Sequence, residues 1–303
     1  MDVLSNVLGA VRLTGAVYME VSARAPWVAA TPPVAEMGPH FEHVIAFHLV
    51  MEGECFAQLA DASEPPVRLE PGDAVLFAGG EAHSMFTLDA VQAGEAEGEG
   101  EPVRIACGYL GCDARPFNPI IGALPRTLHV RCDSEYGSLI RELVRVALEE
   151  SERPRAGGEC FLAKLSELVF LHAVRQHVAS LPPGAKGWLA GLRDRHIGAA
   201  LGLMHGRPAE PWTLELLARE VGLSRSAFAE RFTQVMGAPP MHYLGHWRLQ
   251  LAARLLERDS ISIAEAAASV GYESEAAFNR AFKKQVGVPP GAWRRRRGIE
   301  VVR

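Results

Sequence analysis

The chain contains 303 residues, of which 48% are hydrophobic and 22% charged, a composition that is typical of a folded globular protein and excludes a disordered or fibrous one. This length favours two domains over one. The net charge of −5 is unevenly spread, because residues 205–303 contain 15 Lys and Arg against 10 Asp and Glu, while the remaining residues contain 16 against 26. The basic C-terminal part indicates either a polyanionic partner or a solvated surface of uneven charge.

The N-terminal residues and the cysteines indicate the cytoplasm. The chain starts with Met-Asp-Val-Leu-Ser-Asn, which is acidic where a signal peptide is basic. No run approaches the ~18 apolar residues of a membrane span, and five cysteines, an odd number, make a poor disulfide framework. We therefore expect a cytoplasmic protein without a membrane partner.

Short apolar runs predict an all-β domain over residues 1–130. They lie at 44–50, 55–59, 74–77 and 103–110, and clusters of Gly, Pro and Asp separate them. This alternation is typical of a β-sandwich or β-barrel. The acidic segment Ala93–Pro102 contains no large hydrophobic residue, so we expect a mobile loop there.

The pattern changes to helical periodicity after Arg131. Apolar residues recur at steps of three and four and predict two amphipathic helices within residues 131–180. Their apolar stripes are explained by packing on the β domain or, alternatively, by dimerisation. The segment Leu181–Gly184 breaks the pattern, and a helix over Trp188–Met204 then begins a last domain at residues 188–303.

An internal repeat dominates this last domain. Six residues recur 50 positions later: Ser224, Phe228, Phe232, Gly237, Pro239 and Pro240 as Ser274, Phe278, Phe282, Gly287, Pro289 and Pro290. Each copy combines a glycine turn, a serine that caps the next helix and a buried Phe pair, which predicts helix-turn-helix units at about 213–237 and 261–287. The helix between them, Met241–Glu257, is a rigid spacer that can hold two recognition helices one DNA turn, roughly 34 Å, apart.

The exposed faces of these two helices carry the candidate DNA contacts. They are Arg225, Ser226, Ala229 and Glu230 in the first unit, and Ser274, Glu275, Ala276, Asn279, Arg280 and Lys283 in the second. Arg and Asn bond guanine and adenine edges, Glu accepts from cytosine, and Ala contacts the thymine methyl. Lysine contacts phosphate. A solvated helix face is the alternative, but the repeated turn chemistry favours double-stranded DNA.

Residues 205–297 resemble the DNA-binding domain of the AraC/XylS family of transcription regulators. The resemblance rests on Trp212-Thr213-Leu214, Leu217-Ala218, Gly222-Leu223-Ser224, Phe228, Arg231-Phe232, Gly237, Pro239-Pro240, Trp247-Arg248, Leu255-Leu256, Val270-Gly271-Tyr272, Phe278, Arg280, Phe282 and Pro289-Pro290. By this resemblance, small or acidic residues hold three of the groove positions in the first unit. The resemblance also implies a regulator that contacts RNA polymerase and associates with the nucleoid when bound to DNA.

Family members usually carry a cupin-like sensor barrel, and residues 27–130 resemble one. The segment from Gly72 to His83 follows the second cupin motif, with Ala78 in place of its proline. Upstream, the His-x-His spacing of the first motif is broken, since only His40-x-Glu42 remains. A transition metal held by His48 and His83 is one hypothesis, and two hydrogen-bonded histidines lining a barrel are the alternative, which we favour.

Cysteines suggest a second sensing chemistry. Cys107 and Cys112 flank four residues at a strand end, close enough in sequence to pair across a turn, and the pattern resembles oxidant-responsive relatives in this family. Oxidation there is one hypothesis, and buried inert thiols are the alternative.

Together these observations predict an α+β multidomain protein: a cupin-like β-barrel, two helices and an all-α domain with two helix-turn-helix units. We expect a transcription regulator, more specifically an activator and not an enzyme, which senses a small molecule, metal or oxidant and forms homodimers. A metal-dependent cupin enzyme with an accessory DNA-binding domain is the alternative.

Overall fold

The computed structural model describes residues 2–11, 13–33, 43–88, 98–112, 116–131, 135–257 and 261–300. The chain divides into two compact units. We call Leu13–Asp113 with Leu124–Ser180 the β unit, and Met1–Arg12 with Ala114–Ala123 and Leu181–Arg303 the helical unit. The motif remnant His40-x-Glu42 and the first half of the loop expected at 93–102 lie outside the described residues.

Nine antiparallel strands in two sheets form the core of the β unit in the part of the chain that the structure describes. They are β1 Leu13–Arg24, β2 Val28–Thr31, β3 His43–Glu52, β4 Cys55–Leu59, β5 Val67–Leu69, β6 Asp73–Phe77, β7 His83–Phe86, β8 Pro102–Cys112 and β9 Thr127–Arg131. One sheet has the order β1-β8-β3-β6-β9 and the other β2-β7-β4-β5. Alternate residues such as Cys55, Ala57 and Leu59 are buried, as expected for strands with one face in a core. The four predicted strands and the β-rich fold are confirmed.

Two long helices complete the β unit. They are α2 Glu135–Glu152 and α3 Gly158–Ser180, which confirms the two helices predicted after Arg131. Both pack on β1, and α3 also packs on β9, with Val144, Val169 and Phe170 buried. Among the described residues, no helix has the length and apolar character needed to cross a membrane.

Short helices make up the helical unit. They are α1 Val3–Ala10, α4 Trp188–Arg193, α5 Arg195–Gly206, α6 Leu214–Glu220, α7 Arg225–Met236, α8 Pro240–Leu256, α9 Ile263–Ser269, α10 Glu275–Val286 and α11 Pro290–Glu300. The single helix predicted over Trp188–Met204 is wrong. Asp194 has extended backbone (φ −72°, ψ 127°) and its carboxylate accepts from the N–H groups of His196 and Ile197, so it ends α4 and caps α5.

Two segments that the sequence assigned to the β domain belong instead to the helical unit. Helix α1 buries Val3 and Val7 and packs on α5 and α8. Gln250 of α8 is 2% exposed; its Oε1 accepts from Phe117 N at 2.9 Å, and its Nε2 donates to Ala10 O at 3.3 Å. One buried amide therefore bonds two distant stretches of chain, which stabilises the unit because buried polar groups need partners.

Candidate functional site

The two copies of the repeat fold as matching helix-turn-helix units, α6–α7 and α9–α10. Ser224 Oγ accepts from Ala227 N, and Ser274 Oγ accepts from Ala277 N, both at 3.2 Å. Each serine thereby satisfies one of the unpaired N–H groups at the start of its helix. The hydroxyl of Ser274, a predicted DNA contact, is used as an acceptor in this cap and retains its own proton to donate.

The turn of the second unit requires a glycine in the left-handed conformation. Gly271 has φ +86°, and a Cβ there would lie 2.7 Å from the carbonyl oxygen of Ala209. Both the backbone conformation and the close approach exclude a side chain. The turn therefore fixes the direction in which α10 leaves α9.

Buried aromatic pairs determine which faces of α7 and α10 remain exposed. Phe228 and Phe232 are fully buried with ring centroids 5.7 Å apart, and Phe278 and Phe282 repeat this arrangement at 5.5 Å. Because residues four apart lie on one face of a helix, the opposite faces point to solvent.

The exposed face of α7 offers few groups for reading bases. Arg225 is exposed, but its Nε lies 2.5 Å from Glu215 Oε1 in an ion pair. Ser226 and Glu230 are exposed, and Ala229 is half-buried. The ion pair occupies Nε of Arg225 and offsets its charge, so Glu215 competes with a base for this guanidinium.

The exposed face of α10 offers more groups for reading bases than that of α7. Glu275, Ala276, Arg280 and Lys283 are exposed. The half-buried Asn279 makes a long hydrogen bond from Nδ2 to Glu275 Oε1, at 3.4 Å. An exposed arginine and an adjacent amide are the groups that bond guanine and adenine bidentately.

The β unit contains a largely apolar cavity of about 110 Å³. Strands of both sheets line it, with these residues: Met19, Val21, Trp27, Ala29, Thr31, Ala46, His48, Met85, Ile105, Cys107, Gly108 and Tyr109. The sequence prediction missed β1 and hence Met19 and Val21. The alternation of apolar residues at 17, 19 and 21 was the available signal.

A hydrogen-bond chain lies at this cavity. His83 Nδ1 donates to the carbonyl of Glu81 at 2.7 Å, which leaves His83 Nε2 to accept from His48 Nε2 at 2.7 Å. His48 Nδ1 then accepts from the thiol of Cys107 at 3.0 Å. This assignment of protons gives every nitrogen of both neutral imidazoles a partner.

Burial keeps these groups uncharged. It lowers the pKa of His48 to about 3, with a further contribution from His83, and it raises the pKa of Cys107 to about 12. The residues do not fit a metal site, because the ring nitrogens of His48 and His83 bond each other while Cys107 lies at the opposite nitrogen of His48. Within the described ranges, no three His, Cys, Asp or Glu side chains converge to hold an ion.

The hypothesis that Cys107 pairs with Cys112 across a turn is wrong. Both residues lie in the continuous strand β8, where five residues span roughly 16 Å. A disulfide requires Cα atoms within about 7 Å, and an odd spacing places the two side chains on opposite faces of the strand.

Two helix-turn-helix units joined by one helix, together with a separate β-rich domain, define the class of this protein as a two-domain DNA-binding regulator. Residues 2–179 match a family described as Cupin, and residues 217–296 match one described as Helix-turn-helix domain. The chain belongs to the AraC family of transcription regulators.

Three relatives illustrate this membership. An AraC-like transcription regulator of Streptomyces lividans is 32% identical over 83% of this chain and 87% of its own length. The HTH-type transcriptional regulator AlkR of Acinetobacter baylyi is 29% identical over 97% and 99%. The RCS-specific HTH-type transcriptional activator RclR of Escherichia coli is 32% identical over 84% and 85%. These relatives are transcription regulators, as predicted for this chain.

Proposed function

We propose that this regulator reads base pairs mainly through α10 and responds to a small apolar molecule bound between the two sheets of the β unit. The observation that carries the proposal is the contrast between the two exposed helix faces: Arg280 of α10 has no ion-pair partner in the described part of the chain, whereas Arg225 of α7 is paired with Glu215. An unpaired guanidinium donates to a guanine edge without first breaking another interaction.

Selection of bound duplexes from a random library tests the DNA part of this proposal. We expect a recovered motif with two conserved segments about one helical turn apart, because the two recognition helices belong to one chain. A parallel selection with the Asn279→Ala protein should change one of the two DNA segments, and that segment is the one that α10 reads. Recovery of unrelated sequences would reject base reading by this protein.

The size and lining of the cavity between the two sheets support a small apolar effector. An engineered cavity of about 150 Å³ binds benzene, so about 110 Å³ suits a molecule of similar or smaller size. Tyr109 lines the cavity and carries a hydroxyl that can orient such a molecule, whereas the polar atoms of His48 and Cys107 already bond each other and His83. An oxidant is less well supported, since burial raises the pKa values of both Cys55 and Cys107 to about 12 and the thiolate is the reactive form.

Thermal unfolding with a panel of small apolar compounds tests the effector. Ala29→Leu fills the cavity, whereas Ala30→Leu adds the same side chain to the exposed face of the same strand. A true effector raises the melting temperature of the wild type and of Ala30→Leu but not of Ala29→Leu. Equal stabilisation of all three proteins would place binding elsewhere.

Two further proposals concern the oligomeric state and the mode of regulation, and helices α2 and α3 support the first of them. Exposed Leu139, Phe161 and Leu168 on these helices support a homodimer, which Leu168→Glu would convert to a monomer in sedimentation experiments. We further propose that the protein activates transcription by contacting RNA polymerase, which transcription in vitro measures. We also propose that it acts by binding DNA and effector and catalyses no reaction.

A further inference from the structure

A second cavity, of about 520 Å³, lies in the helical unit and is strongly basic. Its walls are the segment 181–186, helix α4 with the start of α5, and the C-terminal half of α7. Four basic side chains line it, namely Lys186, Arg193, Arg195 and Arg231, and the carboxylate of Asp194 is the single acidic group in the lining.

The carboxylate of Asp194 is fully used within the fold. It accepts from the backbone N–H groups of His196 and Ile197, each at 3.0 Å, and from Arg231 Nη2 at 2.7 Å. Arg231 and Asp194 therefore neutralise each other. The remaining lining carries an excess of positive charge.

The excess positive charge comes from Arg193, which is held at the cavity wall, and from Lys186 and Arg195, which are exposed. Arg193 Nη1 donates to the carbonyl of Leu181 at 2.6 Å, which fixes its guanidinium beside the segment 181–186. Lys186 and Arg195 are exposed, and neither has an ion-pair partner within the residues that the structure describes. Unpaired cations beside a cavity attract an anion.

The cavity adjoins the proposed DNA-facing surface of the first unit. Gln234 lines the cavity and lies four residues after Glu230, so the two are neighbours on the surface of α7. The groove face of α7 itself has few base-reading groups. A helix that reads few bases needs another source of affinity, and phosphate contacts supply most of the affinity of DNA-binding proteins.

We propose that this cavity binds a phosphate group of the DNA backbone beside α7, with Lys186 and Arg195 as its cationic contacts. The first unit then mainly holds the DNA in register, while the second unit reads most of the bases. This inference rests on the proposed use of α7 and α10 for DNA binding.

Salt dependence on a random-sequence duplex tests the inference without a known operator. The observed association constant is measured by fluorescence anisotropy at several salt concentrations for the wild type, Lys186→Gln, Arg195→Gln and the double variant. The matched control is Arg175→Gln on α3 in the β unit, which removes one exposed charge outside the helical unit. Because the cavity holds one phosphate group, its complete loss in the double variant lowers the magnitude of the slope of log K against log salt by about 0.9, and each single variant lowers it by less.

The outcomes separate the cavity from DNA binding in general. Wild-type slopes in all cavity variants, with DNA binding intact, overturn the inference and leave the proposed function standing. A wild type that binds no duplex at any salt concentration rejects the proposed function itself. Titration with inorganic phosphate tests whether the cavity binds a free anion instead. If phosphate binding is saturable and Arg195→Gln abolishes it, while the slopes on DNA are unchanged, the cavity is a site for a free anion. That result overturns the assignment to the DNA backbone.

Discussion

Arg280 and Arg225 occupy corresponding helices but differ in their surroundings. Arg280→Ala should cost about 1–3 kcal/mol of binding at one base pair and relax specificity there. Arg225→Ala should cost less, since its guanidinium exchanges Glu215 for the base. Affinities for the operator and its single-base-pair variants measure both effects. Equal weakening on every sequence would mean that Arg280 contacts phosphate alone.

His48 makes the stability of the β unit depend on pH. Its pKa is about 3 in the folded state against about 6.5 when unfolded. Below pH 6.5 the unfolded chain therefore binds a proton that the folded chain does not, and stability falls as the pH falls toward 3. From pH 7 to pH 5 this amounts to about 2 kcal/mol.

Hydrogen exchange of the β3 amides, measured at both pH values, tests this effect. His48→Gln keeps a donor toward His83 but cannot titrate, so it should lower stability at pH 7 and flatten the pH dependence. Equal pH dependence in wild type and variant would assign the effect to another group.

The residue scale also shows the limits of sequence reasoning. The hypothesis that placed His48 and His83 in one site agrees with the 2.7 Å between their Nε2 atoms, but their proton arrangement depends on Glu81 O and Cys107. Such partners come from register and sheet packing, which no local pattern encodes. The assumed turn between Cys107 and Cys112 failed because Gly108 and Gly111 continue a strand that is paired on both sides.

At the scale of elements, segments with a long apolar period or a repeated motif were predicted, whereas the short helix α1, which has neither, was not. The helices α2 and α3 extend over 18 and 23 residues, and α2 has a clear apolar stripe. Helix α1 has eight residues, and a helix this short is stable only through packing. The break at Asp194 was missed because apolar residues continue at helical spacing on both of its sides.

The glycine that ends α7 offers a test of element-level reasoning. Gly237 has φ +72° and no neighbouring atom within 4 Å of an added Cβ, so Gly237→Ala meets backbone strain alone and should destabilise by about 1 kcal/mol. Gly202 lies inside α5 with equal space around it. Gly202→Ala should stabilise by about 0.5–1 kcal/mol. Urea unfolding followed by circular dichroism measures the change in unfolding free energy of both variants. If both substitutions change stability in the same direction, the explanation by backbone conformation is contradicted.

At the scale of the whole molecule, the helical unit is assembled from three separate stretches of chain. Gln250→Leu should destabilise the full chain by about 1–3 kcal/mol, because Phe117 N and Ala10 O lose their partner. In a fragment of residues 181–303 those partners are missing, so the same substitution should change stability by less than about 0.5 kcal/mol. Comparable losses in both proteins would show that Gln250 acts within α8 alone.

The placement of α1 also affects how the protein is made. Ala10 leaves the ribosome long before Gln250, which follows it by 240 residues. At about 5–20 residues per second, the apolar face of α1 waits on the order of 10–50 s for its partner. The β unit is completed during that interval. The first helix of the chain is therefore among the last to fold, and it is an exposed apolar segment on which a nascent-chain chaperone can act.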